Sequence, residues 1–449
     1  MFSSENTPLK AKDQSTIALD PYRWIILLIF ATYCCVNFFL IFQFTIIANI
    51  TERYYNVGSV TCDATGLVFM FSYIVFAIPV GRFIEQHDLK VVSIVSTGLT
   101  AAGNLLKFLA LSPDRFYIIL ISQCICGVAQ VFMMGLPPKV ACVWFGPKEV
   151  SIACGVGIVG LQLGMAIGSA LPTYLVPDTL NNEQVAAGFL KMFTLDNVAS
   201  VLIFIIVLLF FRSEPEFPPS LSQAAKHEEE TKTVDKEMLG KYFKNKDFLL
   251  ILYCFGTAWG LWNSIGFTIN EVFLHYIPNV GNIIGLLLMG SILAGGVFGS
   301  MIFGFVLDKT HEFKKLTLFL MTMNCLSWFI FTFFLQKRCL GASCAFFLIA
   351  GFFGGSLAVT AFEYTTEVLY PLPEALGTTI FSVSIYLFSI IYTLLSEYIF
   401  LRFGFLAGQI AIGIGFGTTA FGSIFITSKY KRREANISGS LYETREIME

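Results

Sequence analysis

The sequence predicts an all-α polytopic membrane protein: twelve transmembrane helices, set out as six, a linker and six. Three observations carry this. Of the 449 residues 55% are hydrophobic and 13% charged, against about 25% charged in a soluble domain; so few charges cannot clothe a water-facing surface. Twelve apolar runs are each long enough for the roughly 20 helical residues that cross about 30 Å of hydrocarbon. One long polar stretch, Arg212 to Lys246, divides them evenly.

Residues 1–23 are a polar tail with no cleavable leader expected. The N-terminal bundle, 24–211, holds spans at 24–48, 64–84, 91–111, 116–138, 150–175 and 192–211. Between spans 4 and 5, Gly146-Pro147 ends one helix and Pro147 can open the next at its first position. Gly160, Gly164 and Gly168 on span 5 form a small-residue stripe suited to close helix packing. The linker, 212–246, carries Pro215, Pro218-Pro219 and Lys226-His227-Glu228-Glu229-Glu230, and reads as disordered with a helix near its end. The C-terminal bundle, 247–427, holds spans at 248–274, 282–307, 317–336, 345–369, 376–400 and 404–427, before a tail at 428–449.

Cytoplasmic loops are enriched in Lys and Arg. With both termini in the cytosol, all but seven of the 29 Lys and Arg fall on that side; the seven are Arg53, Lys107, Arg115, Lys191, Lys337, Arg338 and Arg402. A net charge of −2 argues against a nucleic-acid partner. No Cys/His spacing suggests a metal site and no nucleophile–base pair suggests an enzyme. Cys339 and Cys344, in one outer loop, are close enough in sequence to pair, and Asn49-Ile50-Thr51 fits a glycan acceptor against the membrane surface.

A repeat supports the division. After span 2, Gly81 is followed by Glu85 and Lys90; after span 8, Gly304 is followed by Asp308 and Lys309. This order resembles the short cytosolic motif of major facilitator transporters, which recurs in each half. Val131–Lys139 with Trp144-Phe145-Gly146-Pro147-Lys148-Glu149, Leu307-Asp308-Lys309-Thr310, and Phe362-Glu363-Tyr364 with Glu367–Pro371 narrow the resemblance to the feline leukaemia virus subgroup C receptor family. That resemblance implies a major facilitator fold, two pseudo-symmetric six-helix bundles around an alternately opening cavity, and a role in choline, ethanolamine or heme transport.

Polar groups inside the membrane are costly, so each is a candidate site residue. They are Asn37 and Gln43 on span 1, Gln162 on span 5, Asn263 and Asn270 on span 7, and Glu363 and Glu367 on span 10. Trp259 and Trp262 share one face of span 7, and no basic residue lies at a span centre. Aromatic faces hold quaternary ammonium groups, so this inventory favours a small organic cation. Heme would want basic residues for its propionates and an axial ligand, and none of the four His is mid-membrane. The resemblance implies a choline-type site with an aromatic wall on span 1, which falls on Ile41, an aromatic on span 7, which falls on Trp262 and Asn263, and a Gln on span 5, which is Gln162. The expected function is transport of such a cation at the plasma membrane by a monomer without cofactor; heme export, a ligand-binding receptor, and an intracellular membrane are the alternatives.

Overall fold

The computed structural model describes residues 19–146, 149–215, 236–369, 372 and 374–426, all of whose regular structure is helical. The two tails, most of the linker, and Pro147 and Lys148 of the span 4–5 turn lie outside the described residues.

The first half consists of α1 (Arg23–Phe38), α2 (Ala48–Tyr55), α3 (Ser59–Gln86), α4 (Leu89–Leu106), α5 (Phe116–Trp144), α6 (Val150–Leu175) and α7 (Asn182–Phe210). After the linker helix α8 (Lys236–Lys244) come α9 (Lys246–Tyr276), α10 (Gly281–Ile292), α11 (Ser300–Thr310), α12 (Phe313–Gln336), α13 (Leu340–Leu369), α14 (Glu374–Phe403) and α15 (Phe405–Ser423). A π-helical turn, Leu293–Gly299, joins α10 to α11 as one crossing. Among the described residues, eleven stretches are long and apolar enough to span a membrane, and α1, at 16 residues, is a shorter apolar helix. The side on which α1 begins and α15 ends is called here the termini side, and the opposite one the far side.

Span 1 does not run unbroken to residue 48. It stops at Phe38, turns irregularly, and resumes as a 3₁₀ turn at Thr45–Ile47 before α2. Backbone freed from a helix at membrane depth must find partners inside the protein. Here Gln123 Nε2 donates to the Leu40 carbonyl (3.1 Å), Thr51 Oγ1 to Phe44 (3.3 Å) and Asn270 Nδ2 to Ile46 (2.8 Å). The same bond buries Thr51 of the glycan motif, while Asn49 Nδ2 donates to Asp178.

The glycine stripe packs α6 on α1. A Cβ at Gly160, Gly164 or Gly168 would sit 2.5, 2.3 or 2.1 Å from the carbonyl oxygens of Ala31, Cys35 and Phe39. Only hydrogen fits there, and the last of the three lies against the break. Span 6 begins at Asn182, ten residues before its predicted start, because Asn181 caps it by accepting from the Glu183 N–H (2.9 Å). Cys339 and Cys344 both remain free thiols.

The two repeat motifs sit at matching corners on the termini side: Gly81 and exposed Glu85 at the end of α3 with Lys90 opening α4, Gly304, Asp308 and Lys309 along α11. Lys139 of α5 donates to the carbonyls of Ile84 and His87, closing the C-terminal end of α3. At the Trp144–Glu149 turn, Glu149 takes Arg23 in two bonds (3.0 and 3.3 Å) and buried Trp144 packs beneath. The turn thus tethers the α5–α6 corner to the start of α1.

Candidate functional site

A cavity of about 370 Å³ lies between the halves. Its wall is built from Phe38 and Ile41 at the break of span 1, Met70 and Tyr73 on α3, Gln130 and Met134 on α5, Leu161 and Gln162 on α6, Trp259 and Asn263 on α9, and Ser382 and Tyr386 on α14. A lobe of about 70 Å³ shares Gln162, Met165, Trp259 and Asn263 with it and adds Phe42, Trp262 and glycines of the π turn and α13. Among the described residues, neither wall contains a charged side chain.

The lining runs from mid-helix toward the termini side, reaching Pro137 on α5 and Thr378 near the start of α14. On the far side the halves are joined. Hydrogen bonds that join them there include Asn270 Nδ2 to the Ile46 carbonyl (2.8 Å), the Asn49 N–H to Asn270 Oδ1 (3.3 Å), and Ser59 Oγ to Glu397 Oε2 (2.8 Å). Phe267 closes the seam, 5.3 Å from Phe42 between ring centroids and pressed on Gly66, where a Cβ would lie 2.3 Å from its ring. Tyr73 and Tyr386, 4.6 Å apart, meet across the halves within the cavity wall.

Glycines set the positions of the two principal side chains. A Cβ at Gly296, in the π turn, would come within 2.9 Å of the Gln162 carboxamide, so the amide lies flat on bare backbone. Such turns often mark functional positions. A Cβ at Gly354 would fall 1.9 Å from Trp262 Nε1. Trp262 is further braced by Phe347, Phe416 and Trp328 at 5.9, 6.0 and 6.4 Å, leaving its free surface toward the lobe. Asn263 is held by Ser389, to which its Nδ2 donates at 2.9 Å.

Of the residues singled out from the sequence, Gln162, Trp262, Asn263 and Ile41 come together here. Five others do not; of these, Asn270 lies in the far-side seam and Glu367 is not part of the cavity wall. Asn37 is fully buried in the first half, donating to Thr100 Oγ1 and the Cys126 carbonyl at 3.1 Å each. Gln43, also fully buried, donates to Asp196 at 2.7 Å and accepts from Lys107 Nζ at 2.9 Å. Asn37 turns into the first half from α1 itself, and Gln43 does so from the irregular turn beyond Phe38. Glu363 is exposed on α13 and is not part of the cavity wall.

Sequence reasoning missed Tyr73 and Gln130, whose spans carry no other signal of a site. The indole N–H groups of Trp259 and Trp262 and both ends of the Gln130 carboxamide have no hydrogen-bond partner. Buried polar groups left so are costly, and a ligand with one hydroxyl or amine would satisfy some of them. Among the described residues, the arrangement offers ring faces, amides and no fixed charge.

Residues 25–377 match the profile of the Major Facilitator Superfamily. The chain is 34% identical to choline/ethanolamine transporter flvcr2a of Danio rerio, over 95% of this chain and 91% of that protein. It is 31% identical to choline/ethanolamine transporter FLVCR2 of Homo sapiens, over 95% of this chain and 81% of that one. Among solved structures it resembles an inward-facing, unoccupied bacterial homologue of the human lysosomal transporter Spinster, with a TM-score of 0.75 at 13% identity over 92% of this chain and 99% of that chain.

Proposed function

Because the chain belongs to the major facilitator superfamily, and within it to the feline leukaemia virus subgroup C receptor family of choline/ethanolamine transporters, we propose that it carries choline, ethanolamine or a similar small organic cation by alternating access. The observation that supports the cargo best is the wall itself: Trp259 and Trp262 with Gln162 and Asn263, and, among the described residues, no charged side chain. A quaternary ammonium group gains about 0.5–2 kcal/mol against an aromatic face, while a cavity without Lys or Arg gives the propionates of heme no counter-ion. With Ile41 where the family resemblance expects an aromatic wall on span 1, the span 7 tryptophans are the ring faces beside Gln162 and Asn263. The lysine and arginine bias supports a plasma-membrane orientation with both termini in the cytosol. The far side is then the outer side, and the cavity opens inward. A single chain encloses the whole cavity, which supports a monomer.

The test is uptake of radiolabelled choline, ethanolamine and heme by cells expressing the protein at matched surface level. Choline or ethanolamine should accumulate and heme should not. Trp262→Ala should weaken apparent affinity roughly 2- to 30-fold, and Trp262→Phe should keep part of it. Equal loss in both would make Trp262 a packing residue and remove the cation site from this wall.

A further inference from the structure

Four carboxyls meet where the halves close on the far side. Glu52 on α2 and Asp63 on α3 belong to the first half, Glu271 on α9 and Glu397 on α14 to the second, and their charges interact across the seam. Asp63 and Glu397 are each 1% exposed. Neither oxygen of Asp63 has a hydrogen-bond partner, although it faces Glu397 and Glu52. Glu52 and Glu271 face each other, one oxygen of each without a hydrogen-bond partner, and two carboxyls can share a hydrogen bond only when one keeps its proton.

No cation offsets them. Among the described residues, no Lys, Arg or His bonds any of the four. Arg53, beside Glu52, is taken by Asp178 (2.7 Å) and the Thr179 carbonyl. His275, one turn past Glu271, stacks on Phe405 at 4.4 Å, and Arg402 is exposed at the end of α14. The elements packed around the seam add little: α5 brings only Lys139, near its termini-side end, and α15 no charge at all. On α7, Glu183 and Lys191 are exposed and Asp196 is paired with Lys107. Cys62, a buried thiol, faces the same four acids, and the hydroxyls of Tyr54 and Tyr55 are given to the carbonyls of Leu111 and Ala110. Among the described residues no group of three or more His, Cys, Asp or Glu has an arrangement that could hold a metal ion. The ligand this geometry accepts is the proton.

We propose that the far-side seam is a proton-binding site: closing the halves takes protons up from the solution on that side, and opening returns them. Burial holds the Glu52 carboxyl above its ordinary range, and the charge of Glu397 adds to the effect. A carboxyl with a higher pKa in the closed state favours closure fully below its ordinary value of about 4.3; that contribution is lost as pH rises through the raised value. Acid therefore favours the closed far side and alkali the open one. Because none of the four acids lines the cavity, protons enter and leave by the far side. They set the balance between the two states without crossing the membrane. The inference concerns the cycle and holds for any cargo.

The test places spin labels at Gln184→Cys and Lys337→Cys, exposed far-side positions in the two halves, after replacing the exposed Cys124, Cys142 and Cys339 with Ser. Distances are measured in lipid nanodiscs between about pH 5.5 and pH 8. The closed-to-open ratio should fall as pH rises, by up to about tenfold per pH unit for each proton released. The combined Glu52→Gln, Asp63→Asn, Glu271→Gln and Glu397→Gln variant should stay closed throughout. Asp63→Asn alone keeps the side chain's shape and should lower the slope. A wild-type ratio indifferent to pH, or the wild-type slope in both amide variants, would overturn the proposal.

Discussion

Two polar clusters are buried toward the far side, and they handle charge in opposite ways. Inside the first half, Lys107 Nζ donates to Asp196 Oδ2 and Gln43 Oε1 at 2.9 Å each, and Gln43 closes the triangle on the same Asp196 oxygen at 2.7 Å. Neither charged side chain has any exposed surface. Across the halves, the four carboxyls of Glu52, Asp63, Glu271 and Glu397 interact with no cation bonded to them among the described residues. The first cluster ties span 1, α7 and the turn after α4 into one unit that has no reason to come apart. The second lies on a surface that must part in every cycle, where water returns to the acids each time. A static joint needs its charges matched, whereas a moving joint can leave them unmatched in one of its states.

The paired cluster is the place to break the comparison hardest. Asp196→Leu leaves Lys107 as a buried charge without its partner and should cost about 3–5 kcal/mol, read as a large fall in the thermal unfolding temperature of purified protein. Lys107→Met together with Asp196→Leu should recover most of that loss. If the double variant is as unstable as the single, the pair is not what holds the joint. The unpaired cluster can be turned into a paired one by Glu271→Lys. A cation facing Glu52 and Glu397 should stabilise closure by about 1.5–3 kcal/mol once the acids ionise, so the closed population should now grow with pH. The smallest effect belongs to Ser59→Ala, which removes one bond to Glu397 and should shift the closed state by about 0.5–1.5 kcal/mol, visible in the same distance measurement as a modest gain of the open form.

The same contrast explains what could be read from the chain. Hydropathy located the crossings, because lipid imposes length and apolarity on each helix separately. It did not reveal the break after Phe38, since Phe39 through Phe44 remain almost wholly apolar; the break depends on Gln123, Asn270 and Gly168, brought in from elsewhere in the chain. Rotation about a helix axis was equally hidden. Ile41 faces the cavity while Asn37 and Gln43 on the same span face the bundle interior. Gln162 and Trp262 were legible because an amide and an indole in mid-span have few other uses. The four acids were not, because each lies near a span end, where a carboxylate reads as ordinary interfacial charge.

The bond from Asn270 to Ile46 has one more consequence, for inheritance rather than mechanics. Its acceptor is a main-chain oxygen, which every amino acid supplies, whereas its donor is a side-chain amide specified by one codon. Exchanges at position 46 among residues of similar bulk leave this latch intact, while Asn270→Leu abolishes it. Drift in related sequences should therefore be lopsided, tolerated on the side of the latch that lends its backbone and purged on the side that lends its side chain.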